Sequence, residues 1–513
     1  MKQFKDYSQG QMQLLPSSIE ELVPEGHLSR VINTIIDNLD KDALYRAFPG
    51  GGSPPYNPIM MLKVIIYSYC TKTFSSREIE RNLKQDIVYM WLSGMQRPDH
   101  NTVNRFRSFY LSDVLDEVFF QVVWMLHEKG YIKLKDLFVD GTKLEADAGR
   151  YTYVWRKNVE RHKQNVKEKI KLLLEDIETL NKSEDQLYGN NPLSELVIAD
   201  NFTSQEVKKA AQSVNKALKN KRDQKAYKKK VHELEKATEK LNNYENQQKI
   251  LKGRNSYSKT DKDATFMRMK DDRLRPGYNP IISTNNQYIV NVTVSQNTAD
   301  NVGFKEHVEK LLSWNNGKLK PENYIGDAGF GNEENYEFLA DDVIGNYLKF
   351  NTFHYEQTKG FINNPYLKEN MLYDKTTDVF TCPAGRKLQY EEDAERITAT
   401  GYKTKVKVYE CESCAGCKLA DECKKGKDNR RFTVSETLEK HKELARNNLN
   451  SKKGIELRRK RSVDVETPFA DIKLNMGYNR FRLRGHRKVK NEMLLLSLAH
   501  NMRKVAKTKE KAA

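Results

Sequence analysis

The stretch 153–252 does most to limit how this chain can fold. Its composition turns to Lys, Glu, Gln and Asn, and its few apolar residues recur at helical spacing. Val159, Val166, Ile170, Leu173, Ile177 and Leu180 step by sevens, fours and threes, which is a heptad seam. Val231, Leu234, Leu241 and Leu251 give a looser second seam, and Gly189 to Pro192 breaks the run between them. A helix with one apolar stripe buries it only against another stripe. The segment is therefore predicted to be an antiparallel helical hairpin of coiled-coil type, inserted into a surrounding domain. Contacting DNA, dimerising and spacing other parts are equally compatible with such a hairpin.

The residues before it divide in two. From about residue 18 to 130 the pattern is all-helical. Ser18 can cap a helix carrying Leu22, Leu28, Val31, Ile35 and Ile36, and Pro58 can open another after the turn at Gly50 to Pro55. The apolar block Met60 to Ile66 makes that second helix a buried one. Ser75 or Ser76 starts a short helix, Val88 to Leu92 belong to a further one, and Asn101 is a candidate cap for the next, which would expose Arg105 and Arg107. Short helices joined by tight turns, one opening on polar and basic residues, suit a helix-turn-helix-like DNA reader over 1–130. A plain helical bundle with solvated basic residues gives the same pattern.

Two aspartates each close a short apolar run. Asp140 follows Leu137, Phe138 and Val139 and precedes Gly141; Asp327 ends NYIGD and is flanked by glycines. An acid at a strand end beside a glycine turn is a common way to hold a metal at a sheet edge. Neither is specific alone, since Asp-Gly also makes ordinary hairpins. Gly277 to Gln296 reads as a hairpin about Asn285 and Asn286, Asp300 to Trp314 as an amphipathic helix, Glu333 to Leu339 as a helix and Val343 to Phe350 as a strand. With the insertion removed, the order strand, hairpin, helix, strand, helix, strand predicts an α/β core of RNase H type over 131–350, a mixed sheet with flanking helices.

A late stretch, Arg458 to Arg484, reads RRKRSVDVETPFADIKLNMGYNRFRLR. It places Glu466 in a basic run with Lys473 seven residues on, about two helical turns, so a continuous helix would present both on one face. A carboxylate there can hold a divalent metal while the lysine meets a phosphate. Asp464 is a competing acid, faced away by its two-residue offset, and Pro468 must lie in a first turn or kink the helix. The segment 431–513 ends in an amphipathic helix, Glu492 to Lys507, that closes the core, and the tail TKEKAA is expected to be loose.

Of six cysteines, five crowd into a small module over 370–430: Cys382, Cys411, Cys414, Cys417 and Cys423. Spacings of Cys-x2-Cys bring thiolates together without long side chains, which points to structural zinc, with an iron–sulfur cluster as the runner-up. Five candidates for four positions leave one as a bystander. Cys70, in an apolar helix, reads as core. The formal charge of +18 favours polyanionic partners, nucleic acid first. Neither a membrane-spanning run nor a signal-peptide core is present in the sequence, and the cysteine usage suits a reducing cytoplasm.

PYNPIMMLKVIIYSYC, FSSREIE, WLSGMQRPDHNTVNRFR, LFVDGTKLEA, YIGDAGFGNEENYEFL and VETPFADIKLNMGYNRFRLRG follow one another in order. Together they resemble bacterial insertion-sequence transposases of the DDE (Asp-Asp-Glu) class, in a subgroup with a helical N-terminal domain and a cysteine-bearing segment before the final acid. The resemblance implies an RNase H-like core, completed by 431–513, with Asp140, Asp327 and Glu466 as catalytic acids that hold Mg²⁺ or Mn²⁺. It implies Lys473, Arg482 and Arg484 on the DNA backbone near the metals, cutting at terminal inverted repeats and joining of the ends to a target. It also implies a nucleoid-associated protein that works as a homodimer or higher on DNA. The related signature Tyr-x2-Arg-x3-Glu-x6-Lys is kept at Glu466 and Lys473 but has Arg459 and Ser462 at its first two positions, with Arg458 or Arg461 as substitutes. Two other functions stay open at this point: a non-catalytic DNA-binding protein on the same frame, and a metal-dependent nuclease that never joins ends.

Overall fold

The computed structural model describes residues 18–48, 54–188, 201–217 and 224–512. The expected turn at Gly50 to Pro55 lies largely outside the described residues, and the break at Gly189 to Pro192 wholly so. Two compact units emerge: Met1–Leu144 with Asn279–Ala513, and Glu145–Tyr278.

In the first unit, helices α1 (Leu28–Asp37), α2 (Pro58–Cys70), α3 (Ser76–Gln85), α4 (Ile87–Ser93), α5 (His100–Ser108) and α6 (Leu115–Glu128) precede the sheet. Local chemistry sets their ends. Asn57 caps α2 by accepting from the Ile59 and Met60 N–H groups, with Pro58 at the first position where no N–H is needed. In α2 every residue but Lys63 is buried, and Lys63 reaches Asp37 at 2.6 Å. The cap of α5 is Asp99, which accepts from the Thr102 N–H, and not Asn101. Ser18 caps a short 3-10 turn, Ile19–Leu22, that is separate from α1.

The sheet is mixed. Strands β1 (Asp136–Gly141), β2 (Leu274–Asn285), β3 (Tyr288–Ser295), β4 (Asn323–Gly326) and β5 (Gly345–Leu348) lie in the order β3-β2-β1-β4-β5. β1, β4 and β5 are parallel, while β2 runs antiparallel to both its neighbours. The β2–β3 turn places Asn286 and Gln287 at φ 51° and 64°, the left-handed pair that a tight two-residue hairpin requires. Parallel strands need crossovers, and α10 (Asp300–Ser313) and α11 (Glu333–Asp341) flank β4. This mixed sheet with flanking helices is compatible with an RNase H-like core.

A second, antiparallel sheet holds β6 (Leu372–Asp374), β7 (Val379–Thr381), β8 (Lys387–Ile397), β9 (Lys403–Cys411) and β10 (Arg431–Val434), in sequence order. Then come α12 (Glu436–Asn450), α13 (Lys452–Ala470) and α14 (His486–Ala512). Helix α14 runs through the tail that was expected to be loose. It touches both the early helices and the sheet: Cys70 Sγ donates to the Ala499 carbonyl, and Asn501 pairs with both the N–H and the carbonyl of Ile289.

Among the described residues, the second unit contains three helices, α7 (Arg156–Tyr188), α8 (Ser204–Ala217) and α9 (Gln224–Leu251). Ile170, Leu173 and Ile177 of the first seam and Val231, Leu234 and Leu241 of the second share one buried cluster. Val159 packs with Leu251 at the opposite chain end of α9, so α7 and α9 run antiparallel. Helix α8 adds Val207, Ala211 and Val214 to that cluster, which makes three helices where a two-helix hairpin was expected.

Candidate active site

Strand register builds the site. β1 pairs with β4 so that Asp136 faces Asn323 and Phe138 faces Ile325. Carried two residues on, the same register sets Asp140 level with Asp327, on neighbouring strands about 4.8 Å apart. Apolar runs end there because the strands leave the core, and the acids are the first groups past it.

A single guanidinium joins the two acids. Arg461 Nη2 lies 3.2 Å from Asp140 Oδ1 and 3.5 Å from Asp327 Oδ2. The Arg461 side chain is 12% exposed, so the contact is shielded from screening. Asp327 Oδ1 also accepts from the Gly329 N–H at 2.9 Å, which fixes its rotamer. Burial pushes the Asp140 carboxyl up to about 6, and the negative charges of Asp327 and Asp300 add to this against Arg461 and the Gly141 N–H. Burial likewise raises Asp300, the first residue of α10, whose Oδ1 accepts from Asn279 Nδ2 at 2.6 Å.

The basic residues sort into different roles. Lys473 Nζ donates to Thr142 Oγ1 at 2.5 Å and to the Lys143 carbonyl at 3.2 Å, two and three residues past Asp140. It reaches them from a π-type turn, Asp471–Asn475, because Pro468 lies inside α13 and the regular helix stops at Ala470. Lys349, after β5, has its proton affinity lowered by burial and by Arg461 and Arg458. Arg482 and Arg484 are exposed. Arg105 is exposed and lies over the Tyr110 ring at 5.6 Å. Arg107 corrects the expectation of a second exposed arginine. It is 4% exposed and donates to the Phe74 carbonyl and the Tyr69 hydroxyl, so it knits α5 to the α2–α3 corner and is withdrawn from any ligand.

The structure does not bring Glu466 to the aspartates. It is exposed on α13, five residues past Arg461 and so about 140° round the helix from it. Among the described residues its side chain has no hydrogen bond or ion pair. Asp464 is buried and accepts from the Gln287 N–H at 3.0 Å, a structural task at the hairpin tip. Arg461, Asp300 and Asn279 are the site residues that sequence reasoning left unassigned or offered only as a substitute. No local motif marks them, although Asp300 opens a helix that the sequence pattern predicts.

The five cysteines line one small cavity of about 20 Å³, with Pro383, Arg386 and Arg430 among its walls. All are free thiols. Burial pushes Cys411 up to about 11, and Cys414 Sγ accepts from the Arg430 N–H at 3.2 Å. Among the described residues, no group of three or more His, Cys, Asp or Glu side chains is already arranged to hold a metal ion. At the acid pair, Arg461 stands between the carboxylates. In the cysteine cavity, the thiols as placed do not form a ligand set.

Paired aspartates thus stand at neighbouring strand ends of a mixed sheet, joined by Arg461. The sequence matches two family descriptions: "Transposase DDE domain" over residues 381–506 and "Transposase domain (DUF772)" over residues 17–109. Both matches support an insertion-sequence transposase of the DDE class. The first match covers the cysteines, Arg461, Glu466 and Lys473, while Asp140 and Asp327 lie outside it. No curated protein and no solved structure matches the chain. No helix among the described residues is long and apolar enough to cross a membrane.

Proposed function

We propose that the chain binds the terminal inverted repeats of its element, cleaves the DNA there and joins the ends to target DNA by metal-dependent phosphoryl transfer. The alignment of Asp140 with Asp327 under one guanidinium carries this reading. Carboxylates at such spacing suit hard divalent cations, which prefer oxygen ligands. Bound Mg²⁺ or Mn²⁺ would activate the attacking water or 3′-hydroxyl and stabilise the leaving oxygen. Asp140 and Asp327 would hold the metal, and Arg461, which bridges them here, would then be free to pair with a phosphate oxygen. Lys473 keeps the loop after β1 in place through Thr142 and Lys143. Arg482, Arg484 and Arg105 attach the DNA backbone. Glu466, exposed on α13 away from the pair, is the proposed third acid. The described cavity of five thiols is the proposed place for one structural zinc.

The test uses DNA carrying the element's ends, with Mg²⁺ present or absent. Cleavage by the wild type, lost in Asp140→Asn, Asp327→Asn and Glu466→Gln with DNA binding retained, supports the reading. Full activity in any one variant removes that acid. Cleavage without strand-transfer products makes the protein a nuclease, and binding without cleavage makes it a DNA-binding frame. Metal analysis of the purified protein checks the zinc, with one equivalent expected and none removing it.

A further inference from the structure

Lys349 is the first residue past β5, and the strand register fixes its place. β4 pairs with β5 so that Asn323 faces Gly345 and Gly326 faces Leu348. Carried one residue on, the same register sets Lys349 level with Asp327, and the Lys349 N–H donates to the Gly326 carbonyl at 3.3 Å. Asp140, Asp327 and Lys349 therefore form one row across the carboxyl ends of three adjacent parallel strands, each step about 4.8 Å. In open α/β sheets ligands bind in the crevice outside those ends. The row has a firm backing: a Cβ added at Gly331 would overlap the Lys349 carbonyl, so the loop after Asp327 packs directly on the Lys349 backbone.

Two arginines of α13 act on the same place. Arg458 and Arg461 are three residues apart and so share a helical face. Arg461 bridges the acids, while Arg458 Cζ lies 5.2 Å from the centre of the Phe353 ring. Lys349 is half-buried; burial lowers its proton affinity, and the charges of Arg461 and Arg458 lower it further against Asp327. Burial, Lys349 and Arg458 likewise lower the proton affinity of His354. Like charges held together away from water destabilise one another. No carboxylate answers them. Among the described residues, neither the Lys349 nor the Arg458 side chain makes a hydrogen bond or an ion pair, and Arg458 Nε is buried without a partner. Desolvating a cation costs free energy unless an anion meets it.

We infer that Lys349 and Arg458 form a binding site for a DNA backbone phosphate beside the acid pair, and so set which phosphodiester lies against Asp140 and Asp327. The inference rests on the reading of those acids as the cleavage centre. Each DNA strand carries a phosphate about every 3.4 Å along the helix axis, comparable with one strand step of the sheet. A strand that lays one phosphate over the acids therefore brings a neighbouring phosphate to Lys349. The ammonium supplies a point charge and the guanidinium a planar fork, and a phosphodiester has two free oxygens to meet them. Contacts to phosphate fix register and carry no sequence information, so this pair sets the position of the cut and not the choice of element.

The full-length protein is tested for binding to duplex DNA carrying the element's end, with no Mg²⁺ added and a neutral methylphosphonate replacing one phosphate at a time around the cut. In the wild type, replacement at one position beside the cut is expected to weaken binding about tenfold. Lys349→Met is expected to bind unmodified DNA about tenfold more weakly and to be indifferent to the methylphosphonate at that position, while every other position keeps its wild-type cost. Arg458→Gln should show the same pattern in smaller measure, and Lys349→Arg should restore binding. The DNA-free melting temperature of Lys349→Met should not fall, because a cation is removed from among cations. With Mg²⁺, its cuts should spread over neighbouring phosphodiesters. A full methylphosphonate cost at the same position in Lys349→Met, or a uniform loss of binding with a lower melting temperature, overturns the site. Cuts confined to the wild-type position overturn the positioning role. Wild-type binding in both Lys349→Met and Arg458→Gln, with cleavage still lost in Asp140→Asn, overturns the site and leaves the cleavage centre standing. Cleavage retained in Asp140→Asn and Asp327→Asn brings down the reading of the centre and the positioning role with it.

Discussion

Asp140 at the sheet edge and Asp471 after α13 are both largely removed from water, yet their carboxyls hold protons with opposite strength. For Asp471, burial acts to raise the proton affinity. Hydrogen bonds from His500 at 2.9 Å and Asn475 at 3.0 Å, with Arg503 at 3.6 Å, outweigh it and hold the carboxyl at about 2. For Asp140, burial wins. One shared arginine opposes it, two further acids reinforce it, and the carboxyl sits at about 6. The difference is one of purpose. A carboxylate that anchors structure is surrounded by its partners at folding, whereas one that awaits a ligand is left short of them, and the fold carries that deficit until the ligand arrives.

The sharpest test of the contrast is catalytic. Asp140→Asn or Asp327→Asn is expected to lower Mg²⁺-dependent cleavage of element-end DNA by about a thousandfold or more, the scale of losing a transition-state contact in an electrostatic site. Asp471→Asn should leave the intrinsic rate near wild type. Next in size is stability: Asp471→Ala strips one partner from a buried ionic network and should cost about 3 kcal/mol by urea denaturation. Equal destabilisation by Asp140→Ala would abolish the distinction drawn here.

The pH dependence should also split the pair. The folded-state proton affinity of Asp140 is raised above that of the unfolded chain. The stability it contributes is full below about pH 4 and is lost as pH rises through about 6. Asp140→Asn, a mimic of the protonated acid, should therefore stabilise the metal-free protein by about 1–3 kcal/mol at pH 7 and by nothing below about pH 4. Asp471 has the opposite sign, giving stability above about pH 4 that is lost as pH falls through about 2. Smallest of all is the effect of Arg105→Ala. Melting should stay within about 0.5 kcal/mol of wild type, while DNA binding weakens and its salt dependence drops by about one unit of slope. Arg107→Ala should unfold the α2–α5 corner and lower the melting temperature instead, since the Phe74 carbonyl loses its donor.

Asp140 and Asp327 were legible because an apolar run that stops at an acid and a glycine is a local pattern. Lys473 was legible by spacing from Glu466, although the π-type turn after Pro468 sends it to Thr142 and not along a shared helical face. Arg107 was misread because a basic residue near a helix end looks solvated until the opposing carbonyls are known. Asp300, Asn279 and Arg461 could not be grouped in advance. They come from α10, β2 and α13, and only the strand order β2-β1-β4 brings the first two against Gly141, the residue after Asp140. The heptad seams gave α7 and α9, whereas α8 carries too short a pattern, Val207, Ala211 and Val214, to announce a third helix. The belonging of the early helices to the same compact unit as the sheet depends on α14, the last element of the chain.

That last helix has a consequence for how the protein comes into being. Cys70, at the end of the apolar helix α2, finds its partner Ala499 at a separation of 429 positions along the chain. At ribosomal speeds of about 5–20 residues per second, α2 waits roughly 20–90 s for the surface that covers it. During that interval a nascent chain exposes a sticky helix, and a transcript that stops short of α14 yields a product that can never cover it. Premature termination would therefore be self-clearing: the fragment has its early helices but no stable body, and proteolysis or chaperone capture should remove it before it competes with the full-length protein.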